Sequence, residues 1–60
     1  MKIIEFYKKD VYGNTLEYVK DETDAMLIRR LIGKKTIDST IRELIYDLTA
    51  GRVAFKQVMN

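Results

Sequence analysis

From position 2 to position 20 apolar residues alternate with polar ones in short steps. Ile3, Ile4, Phe6, Tyr7, Val11 and Tyr12 are β-branched or aromatic, with Lys2, Glu5, Lys8 and Lys9 set among them. Such residues suit a pleated, half-buried surface. Tyr12-Gly13-Asn14-Thr15 interrupts the run with turn chemistry, since Gly13 takes a positive φ without steric cost and Asn14 tolerates one. Thr15–Lys20 is the return strand, so residues 2–20 read as a β-hairpin. Charge bears on its register. A two-residue Gly13-Asn14 loop sets Asp10 opposite Glu17, a destabilising like-charge pair, whereas a three-residue loop sets Lys9 there. The pairing therefore favours a longer loop or a bulge.

The spacing then changes to three and four. Asp21-Glu22-Thr23-Asp24 offers capping oxygens and negative charge to a helix N-terminus, with either Asp or Thr as the cap. Ala25, Leu27, Ile28, Leu31 and Ile32 repeat as an apolar helix face. Arg29, Arg30, Lys34 and Lys35 gather at the other end, where the dipole favours cations, and Gly33 is placed to stop the helix. Lys34-Lys35-Thr36 reads as a short connection. Asp38 or Ser39 caps a second helix, or Thr40 and Glu43 form a capping box. Its apolar face is Ile37, Ile41, Leu44, Ile45 and Leu48, and Ala50-Gly51 ends it. Arg52–Met59 is a third strand, with Val53 and Phe55 on one face and Ala54, Lys56 and Val58 on the other.

The order is β-β-α-α-β. Residues 1–60 are read as a single α+β domain, a three-stranded sheet with two short, roughly antiparallel helices covering one face. The third strand runs parallel to the first and has the edge of either hairpin strand open to it. At 60 residues such a domain buries only about 60 % of its unfolded surface. A second copy that completes the core, a homodimer, is therefore among the expected partners.

Composition removes several kinds of chemistry. The chain has neither cysteine nor histidine, which excludes disulfides, thiolate or imidazole metal ligands, and catalysis by either side chain. Glu5 and Lys8 break the first apolar run, and no run reaches the roughly 18 residues of a membrane span. The expectation is a cytoplasmic protein that does not enter a membrane. Asp21, Glu22 and Asp24 read as a helix cap rather than a cation site. Ser39 and Thr40 lack an activating base. Gly33-Lys34-Lys35-Thr36 lacks the upstream glycine and strand of a phosphate loop. No catalytic residue, metal ligand or cofactor is expected.

Two groups are left for binding. Tyr7, Tyr12 and Tyr18 are candidates for the outer sheet surface or edge, because tyrosine combines apolar area with a wet hydroxyl and is favoured at interfaces. Arg29, Arg30, Lys34 and Lys35, with Lys8 and Lys9, form a basic set that either solvates the helix end or meets phosphates. The net charge of +2 and the interspersed acids favour the solvating role.

Two resemblances follow from these segments. Val11-Tyr12-Gly13-Asn14, a short helix, and then Leu31-Ile32-Gly33-Lys34-Lys35-Thr36-Ile37 resemble small bacteriophage- and prophage-encoded proteins over roughly residues 7–37. That resemblance implies a phage-type protein that inhibits or modulates a host protein by stoichiometric binding, as anti-restriction and anti-CRISPR proteins do. It carries no catalytic residue. Thr15–Lys20, Thr23–Ile32 and Ser39-Thr40-Ile41-Arg42-Glu43-Leu44-Ile45 have the order of ribbon-helix-helix repressors, which implies a nucleic-acid-binding regulator instead. There Glu17 would face phosphates or bases, and the flanking strands would block the intersubunit ribbon. The expectation is a non-enzymatic binder of a host protein, with nucleic acid as the alternative partner.

Overall fold

The computed structural model describes residues 1–59. Its elements are β1 (Lys2–Val11), β2 (Asn14–Val19), α1 (Glu22–Ile32), β3 (Thr36–Ile37), α2 (Ser39–Leu48) and β4 (Val53–Gln57). The protein is α+β, with two helices and a four-stranded mixed sheet in the order β3-β2-β1-β4. β1 pairs antiparallel with β2 and parallel with β4, and β2 pairs antiparallel with β3.

The expected three-stranded sheet is corrected by β3. Thr36 and Ile37 lie opposite Tyr18 and Glu17, where a bare connection and the first residue of a helix face were expected. Two residues show no alternation, so their sequence carries no strand signal. Pairing with β2 makes them a strand, and it sends Ile37 into the core. Asp38 alone then separates β3 from α2. The third strand of the sequence reading is β4, and β1 is its partner.

The hairpin is also corrected. Its loop is the two residues Tyr12 and Gly13, at φ 51° and 81°, with Val11 opposite Asn14. Positive φ at both central residues is the primed turn whose twist matches paired strands. Asn14 belongs to β2, and Lys8, not Lys9 or Asp10, stands opposite Glu17. A lysine thus stands opposite Glu17 without the longer loop or bulge, while Glu17 makes its ion pair with Arg42.

Both helices start on aspartate. Asp21 accepts from the Asp24 N–H at 3.0 Å and Asp38 from the Ile41 N–H at 2.9 Å. Ser39 and Thr40 lie inside α2. Gly33 closes α1 in the left-handed conformation, its N–H donating to the Arg29 carbonyl.

The core lies where Ile4 and Phe6 of β1, Val19 of β2, Ile37 of β3, Ile28 of α1 and Ile45 of α2 meet, with Ala25, Ile32, Ile41, Val53 and Phe55 packed around them. Both helices therefore supply an isoleucine to one core. Each helix buries a narrower stripe than its sequence face suggested. Leu27 and Leu31 of α1, and Leu44 and Leu48 of α2, are exposed, because a sheet this small covers only the central isoleucine row.

α2 connects β3 at one sheet edge to β4 at the other and crosses the sheet between them. Arg42 marks the crossing. It donates from Nε to Glu17 Oε1 at 2.8 Å and from Nη2 to Oε2 at 3.3 Å. Its guanidinium carbon lies 4.7 Å from the centre of the Phe6 ring. A planar fork satisfies the carboxylate while its face covers the aromatic.

Candidate binding groove

The hairpin register decides which tyrosines meet. Tyr7 stands opposite Tyr18, and their rings stack with centroids 5.8 Å apart and planes 24° from parallel. Side chains alternate across a strand, so the pair lies on the face opposite Phe6 and Val19. Tyr18 also neighbours Thr36 of β3, which brings the preceding Lys35 to the same place.

One flank of α1 supplies the rest of the lining. Glu22, Ala25, Met26 and Arg29 follow the three- and four-residue spacing that aligns side chains on a helix. With Tyr7, Tyr18, Val19 and Lys35 they line a groove of about 300 Å³. The groove has a stacked aromatic surface, a flexible thioether in Met26, two cations and one carboxylate. It can hold a flat or extended group against the rings while Arg29 and Lys35 contact an anion.

The structure brings together four of the residues singled out from sequence, Tyr7, Tyr18, Arg29 and Lys35, drawn equally from the aromatic and the basic groups. It separates the others. Tyr12 is fully exposed at the hairpin tip, five residues along β1 from Tyr7, or roughly 17 Å at the rise of a strand. Lys8 points to the Phe6 face, opposite Glu17, while Lys9 is on the tyrosine face beyond the groove, opposite Leu16. Arg30 and Lys34 lie outside the lining. Sequence reasoning gave Glu22 to the helix cap and Ala25 to the apolar face and passed over Met26, although their spacing to Arg29 was the available signal.

A second, wider groove of about 450 Å³ runs between α2 and β4, lined by Arg42, Glu43, Tyr46, Asp47, Ala54 and Phe55. Arg42 is already held by Glu17 there, which leaves this groove acidic. No cluster of three or more potential metal-ligating side chains occurs among the described residues. No described helix is long and apolar enough to cross a membrane. Comparison with known proteins returns no match to a family model, to a curated protein or to a solved structure.

Proposed function

We propose that the protein is a small non-enzymatic binding protein of phage type, acting by stoichiometric attachment to a host protein in the cytoplasm, and that the tyrosine groove receives an acidic segment of that host protein. The observation that carries this reading is the convergence of the Tyr7–Tyr18 stack with Arg29 and Lys35 in one groove. Tyrosine and arginine are the residues that anchor protein interfaces. An acidic side chain reaching Arg29 and Lys35 would lay its backbone along the rings, and Glu22 would select a basic neighbour in the same segment. The phage context rests on the resemblance of the Tyr12-Gly13-Asn14 turn and the Gly33-Lys34-Lys35-Thr36 segment.

Nucleic acid is the competing partner, since stacked aromatics beside cations also suit single strands. The split of the basic set argues against it. Of the basic set only Arg29 and Lys35 line the groove, with Glu22 beside them, and Lys8 faces the other side of the sheet. A phosphate track needs several cations in line.

The test is affinity capture from host lysate at 50 and 300 mM salt with the wild type and the Tyr18→Ala/Arg29→Glu variant, alongside gel shifts with single- and double-stranded DNA and RNA. The expected result is one host protein retained at near-equal amounts by the wild type, lost at least tenfold by the variant, and no gel shift. A nucleic-acid complex that weakens by orders of magnitude with salt, or capture indifferent to both substitutions, would overturn the reading.

A further inference from the structure

The two helices carry the same short pattern with opposite charge. α1 reads Leu27-Ile28-Arg29-Arg30-Leu31, and α2 reads Leu44-Ile45-Tyr46-Asp47-Leu48. In each, the isoleucine is buried in the common core. The leucine before it and the leucine three residues after it share one flank of the helix. Arg30 on α1 and Asp47 on α2 border that pair on the side away from the isoleucine, and Asp47 also lines the α2–β4 groove.

These flanks are bare. Leu27, Leu31, Leu44 and Leu48 are 55, 68, 54 and 84 % exposed. Together the four leucines present on the order of 400 Å² of apolar surface on the two helices. The ion pairs of the described residues are Lys2–Asp24 and Arg42–Glu17, so within the described residues neither Arg30 nor Asp47 has an ionic partner. The tyrosine groove uses the other flank of α1, with Glu22, Ala25, Met26 and Arg29, and makes no claim on these leucines.

We propose that this face binds a second copy of the chain, with α1 of each protomer packed on α2 of the other. Charge complementarity selects that occupant. A two-fold interface is self-complementary, so contact of residue i with j implies contact of j with i. Placing the α1 leucines on the α2 leucines of the partner sets Arg30 beside the partner's Asp47, and the symmetry repeats the pair. Packing α1 on α1 would oppose Arg30 to itself, and α2 on α2 would oppose Asp47 to itself. A second copy also supplements a core in which no described side chain is completely sealed from solvent.

The proposal is independent of the tyrosine groove and is tested by a charge exchange. Sedimentation velocity of the wild type from 5 to 500 μM is expected to show a dimer that dissociates on dilution. Arg30→Asp and Asp47→Arg, each alone, place two like-charge pairs in every dimer and are expected to weaken it at least tenfold. Mixing the two variants in equal amounts places opposite charges at both positions of a mixed dimer and is expected to restore association. Leu31→Gln/Leu48→Gln, at exposed positions that leave the core intact, is expected to remain folded by circular dichroism and to be monomeric. A wild type monomeric throughout the range, a dimer indifferent to the leucine changes, or a mixture that fails to associate overturns the proposal. A wild type found dimeric only with its host partner bound counts against it too, because that assigns the face to the partner.

Discussion

At the scale of single residues two positions carry local tension. Tyr12 sits at φ 51° in the first central position of the hairpin turn, where asparagine is much preferred. Its ring is fully exposed and returns nothing to the fold. Tyr12→Asn is expected to raise stability by about 0.5–1 kcal/mol, read as a higher urea midpoint with unchanged slope. Arg42 is the opposite case. It satisfies Glu17, whose side chain is only 14 % exposed, and covers Phe6. Arg42→Ala leaves that carboxylate desolvated and unpaired and is expected to cost about 2–3 kcal/mol. Arg42→Ala combined with Glu17→Gln should recover part of the loss in a double-mutant cycle. The pair joins residues 25 apart in the chain, which is why no local pattern announced it.

At the scale of elements, the helix faces and the α2–β4 connection are the informative cases. Periodicity gave Leu27, Ile28, Leu31 and Ile32 equal standing, but only Ile28 is buried in the core. Ile28→Ala is expected to cost about 2–4 kcal/mol and Leu31→Ala, in dilute protein, under about 0.5 kcal/mol, both measured by urea denaturation. After α2 the chain turns through Ala50 and Gly51 at φ 53° and 78°. Thr49 Oγ1 donates to the Ile45 carbonyl at 2.8 Å and accepts from the Val53 N–H at 3.1 Å, which ties the helix end to the start of β4. A Cβ on Gly51 would meet the Tyr46 hydroxyl oxygen at 3.2 Å and its ring carbon at 3.3 Å. Gly51→Ala is therefore expected to lose about 1–2 kcal/mol, whereas Ala50→Gly is expected to be neutral or mildly stabilising by thermal melting. Ala50-Gly51 was readable as a helix stop. The weight Tyr46 places on the glycine was not, because it depends on how the ring folds back over the turn.

At the scale of the molecule, 60 residues must carry both a core and whatever surface the protein uses. The core takes one isoleucine row from each helix and one face of the central strands. The remainder is divided between a tyrosine groove and a leucine face on separate flanks. If association through the leucine face contributes to stability, the melting temperature should rise with protein concentration for the wild type and become independent of it for Leu31→Gln/Leu48→Gln. Scanning calorimetry across a hundredfold range of concentration reads this directly. A groove partner would raise the melting temperature of both forms alike.

Sequence alone determined the hairpin, the two helices, the last strand, the α+β class and the exclusion of cysteine and histidine chemistry. These rest on periodicity, caps and composition, which act within a few residues of chain. It also marked Tyr7, Tyr18, Arg29 and Lys35, as members of two unrelated groups. Tertiary structure decided that they form one groove, that Thr36 and Ile37 are a strand, that β4 pairs with β1, and that four leucines of the helix faces are left outside. Each of these depends on which distant segment lies opposite, and pairing register and coverage of a small core are settled only when the whole chain is packed.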